Sequence, residues 1–219
     1  MSLIPPNDLL YWERQLWDGG YRCIAGIDEV GRGALAGPLV AAAVILPVSS
    51  KGSFESEAGW LRVRDSKTIA HSRRSETAAW IHASRALVSI AEVSCQEVDS
   101  FGLSAANRCA MERAVAGLPI EPDILLIDAM TLDLGIPQIG IIDGDALSLS
   151  IAAASIIAKV HRDSLMVDLD SVYPAYGFAR HKGYGVRTHL DALVEYGPCP
   201  THRHSFAPVK QASFNGGQH

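Results

Sequence analysis

The chain predicts a mixed α/β sheet. Two apolar strand-like runs, at 22–28 and 38–46, follow one another with no helix between them. Further strand-like runs, at 86–94, 123–128 and 138–142, then alternate with helical segments. Paired early strands followed by alternating strands and helices suit a sheet that is only partly parallel.

Taken in order, Asn7 or Asp8 caps a first helix through about Trp17, which Gly19 and Gly20 stop. After the first two strands comes a polar loop at 51–59. A helix at 72–84 leads into the strand at 86–94, and 103–116 reads as another helix. The strand at 123–128, Asp-Ile-Leu-Leu-Ile-Asp, has the unbroken apolar centre of a buried strand. A long helix covers 149–172, and 187–196 forms a final one. Gln211-Ala212-Ser213-Phe214 reads as a disordered end, or at most a faint partner motif.

The 219 residues make one large domain, or one domain with a subdomain, with a sizeable core. A net charge of −5 argues against a protein that coats nucleic acid by bulk charge, and leaves room for a local basic groove. Cys23, Cys95, Cys109 and Cys199 form no C-x-x-C pair, which disfavours a zinc knuckle or redox pair. Cys23 and Cys95 read as buried reduced thiols. No run has the length of a membrane span and none resembles a signal peptide, so the expected compartment is the cytoplasm.

The first candidate site is the run Ile27-Asp28-Glu29-Val30-Gly31-Arg32-Gly33. Two acids emerge from an apolar strand and meet an arginine flanked by glycines. Acids at a strand end suit a hard cation. Glycines admit a close backbone approach, and a guanidinium fork suits phosphate. A hairpin with a solvated acidic tip is the alternative reading. Asp128 repeats the pattern at the end of its own strand, where it also suits a turn aspartate. Ser155, Lys159 and Asp163 share a helix ridge behind a run of small residues, Ala152-Ala153-Ala154. Asp163 thus either reaches the strand ends or pairs with Lys159 at the surface. Clustered carboxylates need protonation or a cation, and oxygen-only ligands favour magnesium, manganese or calcium over zinc.

Residues 180–210 carry a local basic stripe of Arg180, Lys182, Arg187, Arg203 and Lys210, with His181, His189, His202 and His204. Tyr173, Tyr176, Phe178, Tyr184 and Phe206 lie in or beside it. Basic groups with aromatics suit a nucleic-acid backbone and a stacked sugar or base. A solvated face with core aromatics is the alternative reading of each residue. The glycines of His181-Lys182-Gly183-Tyr184-Gly185 should expose Tyr184.

Eight pieces of sequence carry a family resemblance. They are Asp28-Glu29-Val30-Gly31-Arg32-Gly33 with Leu35-Ala36-Gly37-Pro38; Asp65-Ser66-Lys67; Leu126-Ile127-Asp128; Gly144-Asp145 with the small-residue run to Ser155; Ala158-Lys159-Val160 with Arg162-Asp163; Tyr173-Pro174 with Tyr176-Gly177-Phe178; His181 to Gly185; and His202-Arg203 with Ser205-Phe206. In this order, over about 21–210, they resemble ribonuclease HII, the type 2 ribonuclease H family.

The resemblance implies a ribonuclease H-like mixed sheet flanked by helices, as a single domain over 1–219. About 174–210 would form a helical C-terminal part that binds substrate. It implies an endonuclease that hydrolyses the RNA strand of RNA–DNA hybrids. It also implies cutting 5′ of single ribonucleotides in duplex DNA, leaving 3′-hydroxyl and 5′-phosphate ends by a two-metal-ion mechanism. Asp28, Glu29, Asp128 and Asp163 look like the catalytic acids that bind Mn2+ or Mg2+. Gly31, Arg32 and Gly33 look like the loop that reads the ribose 2′-hydroxyl. Tyr184 looks like the residue that packs on the neighbouring deoxyribose, with Lys182 beside it as a further substrate-binding residue. The implied partners are the two nucleic acids, with no membrane and no obligate protein partner, and a monomer suffices. Val30, Ala34, Ala70, Asp143 and Val186 depart from the family's usual residues, and Ala70 should cap its helix poorly.

Overall fold

The computed structural model describes residues 8–48, 54, 58–63 and 70–215. Its strands are β1 (Ile24–Val30), β2 (Leu39–Ile45), β3 (Leu87–Val93), β4 (Ile124–Asp128) and β5 (Gln138–Ile141). Its helices are α1 (Tyr11–Asp18), α2 (His71–Ala83), α3 (Cys95–Phe101), α4 (Leu103–Ala116), α5 (Gly144–Leu147), α6 (Leu149–Val172), α7 (Phe178–His181), α8 (Arg187–Tyr196) and α9 (Ala207–Asn215).

The strands make one five-stranded mixed sheet in the order β3-β2-β1-β4-β5. β2 is buried along its whole length, which explains an apolar run without alternation. β1 and β4 are parallel, in register from Ile24 opposite Ile124 to Ile27 opposite Ile127. β5 lies parallel on the far side of β4, with Asp128 opposite Ile141. The strand order turns back at β1, so the carboxyl ends of β1 and β4 flank a switch point, where open α/β sheets hold ligands.

The chain forms two compact units. The first comprises Met1–Glu29, Ala41–Ala91 and Met111–Val160. Its core includes Ile24, Ile27, Leu125, Leu126, Ile127, Ile151 and Ile156. Ala152, Ala153 and Ala154 are buried on α6, as the small-residue run anticipates. A Cβ on Gly26 would stand 2.2 Å from the Ser150 carbonyl carbon, so only glycine lets β1 lie this close to the start of α6. Glu13 of α1 closes the same corner. One carboxylate oxygen accepts the Ser148 hydroxyl (2.6 Å), the Ser150 hydroxyl (2.7 Å) and the Ser150 amide (2.9 Å). Burial nevertheless pushes its carboxyl above the ordinary carboxylate range.

The second unit comprises Val30–Val40, Glu92–Ala110 and His161–His219. Ala36, Met166, Tyr176, Phe178, Ala192 and Cys199 form one of its apolar clusters. Leu35, Leu193, Val209 and Ala212 form another. That second cluster corrects the reading of the C-terminal tail. Residues 211–214 belong to helix α9 because Val209 and Ala212, three apart, bury one face of it. The helix at 187–196 is therefore not the last.

Three shorter helices, α3, α5 and α7, also lie outside the sequence reading. α3 has a full capping box, Ser94 with Glu97. The first helix starts at Tyr11, later than a cap at residue 7 or 8 implies, and Asp8 accepts the Leu10 amide at 3.2 Å instead. Ala70 makes no side-chain cap on α2, as expected. Cys95 is buried at the head of α3, whereas Cys23 is only partly buried and precedes β1. Asp65-Ser66-Lys67 and most of the polar loop at 51–59 lie outside the described residues. Among the described residues no helix is long and apolar enough to cross a membrane.

Candidate active site

The parallel register of β1 and β4 decides what stands at their ends. Ile27 is opposite Ile127, so the next residues, Asp28 and Asp128, stand at the same level on neighbouring strands. Asp128 is the last residue of β4, and Asp28 stands two residues before the end of β1, which runs past the predicted end at 28. Asp28 is only 6% exposed. Its Oδ1 accepts the Glu29 amide at 2.7 Å, and the Ser155 side chain of α6 also hydrogen-bonds its carboxyl. Burial pushes the Asp28 carboxyl well above the ordinary range. Glu29 pushes it further, Ser155 pulls it back, and Asp128 adds a smaller push upward. Asp128 is fixed from the other side, where its Oδ1 accepts the Gly144 amide at 2.7 Å.

Ala129, immediately after Asp128, has φ 51°, and Asp143, immediately before Gly144, has φ 54°. Non-glycine residues rarely adopt this left-handed region, and such strain gathers at functional sites. Asp145, one residue past Gly144, is a further buried carboxylate that the sequence reading left unassigned.

The oxygen-only donor set fits a hard cation. Its chemistry asks for one as well, because a cation would reverse the electrostatic push on the Asp28 proton. Among the described residues no three His, Cys, Asp or Glu side chains form a ready-made ligating cluster.

Asp163 belongs to the second unit. It lies on α6 two turns beyond Ser155 and is 5% exposed, so it is not a solvated surface acid. The second unit also brings together the glycine loop and the segment around Tyr184. Ala34 and Tyr184 form an antiparallel bridge, and the Leu35 amide donates to the Gly183 carbonyl at 2.8 Å. Two buried arginines brace this loop. The Arg162 guanidinium donates to Pro38 O (2.9 Å), Lys182 O (2.9 Å) and Ala36 O (3.1 Å). Arg203 donates to Gly37 O (3.0 and 3.2 Å) and Arg32 O (3.0 Å).

Braced in this way, the loop leaves Arg32 and Gly33 exposed at its tip. Gly31 has φ +93°, and a Cβ there would stand 2.2 Å from Arg162 Nε. Gly33 has no neighbouring atom within 4 Å of its Cβ position, so the backbone is open to close approach. Tyr184 is half-buried, with the Arg162 guanidinium carbon 5.5 Å from its ring centroid. Lys182 adopts φ 53°, and its ammonium donates to Ala179 O at 2.6 Å.

The basic stripe is narrower than the sequence suggests. Arg203, His189 and His202 are buried, and Arg187 pairs with Asp191 at 2.8 Å. Arg180, Lys210 and His204 remain exposed. Tyr176 and Phe178 are core residues rather than stacking platforms. Arg203 reads from the sequence as part of the stripe, and Arg162 has no role of its own there, because inward and outward arginines look alike in a sequence. The only local signal was the adjacency of Arg162 to Asp163 and of Arg203 to His202.

The family model described as Ribonuclease HII matches residues 25–209. A Ribonuclease HII from Desulfitobacterium hafniense is 52% identical over 204 residues, covering 93% of this chain and 75% of that protein. The crystal structure of the ribonuclease H2 from Pyrococcus horikoshii OT3 shares the fold with a TM-score of 0.72 at 23% identity, over 90% of this chain and 99% of that one. The crystal structure of Bst-RNase HIII in complex with Mn2+ shares it with a TM-score of 0.61 at 20% identity, over 90% of this chain and 71% of that one. The chain belongs to the ribonuclease HII family, endoribonucleases that hydrolyse RNA in RNA–DNA hybrids.

Proposed function

We propose that Asp28, Glu29, Asp128 and Asp163 are the metal-binding catalytic acids, and that the protein also cuts 5′ of single ribonucleotides embedded in duplex DNA. The observation that carries this reading is the adjacent emergence of Asp28 and Asp128 from parallel strands, with the Asp28 carboxyl held far above its ordinary range. Burying acids together is unfavourable for folding, and a cation site gives that arrangement a purpose. The Mn2+ complex of Bst-RNase HIII supports a divalent ion, Mn2+ or Mg2+. Two such ions, when bound, supply an activated water and a charge that steadies the leaving oxygen.

The chain's own groups orient the acids and the nucleic acid. Ser155 turns the Asp28 carboxyl, and the Gly144 amide turns that of Asp128. Gly31, Arg32 and Gly33 meet the ribose 2′-hydroxyl, the group that distinguishes RNA from DNA. The exposed tip and the open space at Gly33 support this role. Tyr184 packs on the neighbouring deoxyribose, and Lys182 lies beside it. Residues 174–210 are the helical substrate-binding part of one ribonuclease H-like domain. Cutting at embedded ribonucleotides, with 3′-hydroxyl and 5′-phosphate products, suits their removal from replicated DNA in the cytoplasm.

The acids are tested one at a time. Asp28→Asn and Asp163→Asn should each cut a hybrid at below about one-hundredth of the wild-type rate, because each removes a ligand worth several kcal/mol to the transition state. Both should still bind the hybrid. Turnover near wild type in either variant would remove that residue from the catalytic set.

A further inference from the structure

We propose that His189 and His202 form a hydrogen-bonded relay that positions Tyr184, and that His189 thereby sets the preference for a DNA–RNA junction over a continuous hybrid. This rests on the reading of Tyr184 as the residue that packs on the deoxyribose.

The hydrogen-bond pattern fixes the direction of the relay. His202 Nδ1 lies 3.0 Å from the Cys199 amide, 3.1 Å from Cys199 Sγ and 3.3 Å from the Cys199 carbonyl. The amide is the nearest and only donates, which makes Nδ1 an acceptor and puts the ring proton on Nε2. His202 Nε2 lies 3.0 Å from His189 Nε2. At the far side of its ring, His189 Nδ1 lies 3.0 Å from the Tyr184 carbonyl, which only accepts. His189 therefore carries its proton on Nδ1, which leaves Nε2 to receive the His202 proton. The two tautomers, each assigned from a separate backbone partner, agree at the shared contact.

The rings have little freedom. His189 is fully buried, stacked on His181 with centroids 4.5 Å apart and edge-on to Phe178 at 5.5 Å. His202 is buried against Tyr176 at 4.9 Å. An apolar side chain would fill this space without the desolvation penalty of two imidazoles. What the imidazoles add is the N–H that reaches the Tyr184 carbonyl and the link that holds it there.

The Tyr184 backbone is otherwise held by its own turn and by the glycine loop. Its amide donates to His181 O at 3.0 Å, its carbonyl also accepts the Val186 amide at 2.8 Å, and it bridges to Ala34. His189 is thus the side chain that ties Tyr184 to the first turn of α8. Releasing it lets the ring shift relative to the loop that meets the ribose. Discrimination at a junction requires those two groups to be held at a fixed spacing. A continuous hybrid offers no deoxyribose on the cut strand for Tyr184 to meet.

The test compares kcat/KM for duplex DNA carrying one ribonucleotide with kcat/KM for a continuous RNA–DNA hybrid. The ratio is measured on the same enzyme preparation, so a loss of folded protein cancels. His189→Leu should lower the ratio by about fivefold to tenfold, the scale of one lost buried hydrogen bond. His189→Asn, whose amide nitrogen stands near the place of Nδ1, should keep the ratio within about twofold of wild type. Tyr184→Ala is the reference for losing the contact altogether. A ratio unchanged in His189→Leu but lowered in Tyr184→Ala overturns the relay. A ratio unchanged in both overturns the role of Tyr184, and the relay with it.

Discussion

Gly31 and Gly33 flank the same arginine, yet an added methyl group should affect them very differently. At Gly31 the backbone has φ +93°, where a non-glycine residue costs about 1–3 kcal/mol. The new Cβ would also stand 2.2 Å from Arg162 Nε, 2.8 Å from its Cδ and 2.9 Å from its Cζ. Arg162 has nowhere to retreat, because it is 0% exposed and its guanidinium is bonded to three carbonyl oxygens. Breaking even one of these charged hydrogen bonds adds about 1.5–3 kcal/mol. Gly31→Ala should therefore destabilise the protein by about 2.5–6 kcal/mol. At Gly33 there is no positive φ and no atom within 4 Å of the Cβ position, so Gly33→Ala should change stability by less than about 1 kcal/mol. Urea titration of both variants, with the slope checked for constancy, reads the difference directly. A fall in junction cleavage by Gly33→Ala, at unchanged stability, would then report on substrate contact rather than on folding. Equal stability of the two variants would refute Arg162 as the anchor of the loop.

Asp28→Asn should raise the melting temperature of the metal-free protein at neutral pH. The Asp28 carboxyl is raised, so above its ordinary value of 3.8 the folded protein holds a proton that the unfolded chain releases. Stability therefore falls as pH climbs from there toward the raised value, and asparagine removes that loss. Mn2+ at a hundred times its dissociation constant should stabilise the wild type by about 2.7 kcal/mol, and the variant far less. An equal or lower metal-free melting temperature in the variant would contradict the buried-acid account. His202 should act with the opposite sign. Burial, then the neighbouring His189, lowers its imidazole from 6.5 to about 4. Its stabilising contribution is full above 6.5 and is lost as pH falls toward 4, because the unfolded chain takes up the proton first. His202→Phe should flatten the dependence of the urea midpoint over that interval, and an unchanged slope would contradict it.

The sequence makes the sheet and its acids legible for a clear physical reason. Long apolar runs have few alternatives to burial, and an acid that ends such a run marks the point where a strand leaves the core. The helices at 103–116, 149–172 and 187–196 match α4, α6 and α8 residue for residue. Gly102 precedes the first of these, and Gly197, at φ +70°, ends the last. Short helices were harder to read. α5 and α7 have four residues each and no periodicity to detect. α3 announced itself through Ser94 and Glu97, but its seven residues were too few to outweigh the neighbouring strand pattern. The buried arginines and histidines were the least legible. Arg203 meets the carbonyls of Gly37 and Arg32 across 166 and 171 residues of chain, and no local pattern signals such a partner. A basic residue in a stripe looks the same whether it faces phosphate or a backbone oxygen.

As proposed, Asp28, Glu29, Asp128 and Asp163 would make this chain a metal-dependent nuclease that recognises a ribonucleotide within DNA. The most direct measurement is product mapping on duplex DNA carrying one ribonucleotide, with Mn2+, with Mg2+ and with a chelator, beside an all-DNA duplex. Cutting on the 5′ side of the ribonucleotide that needs the metal and spares all-DNA is the predicted result. No cutting with either ion, by protein that still binds the duplex, would contradict it.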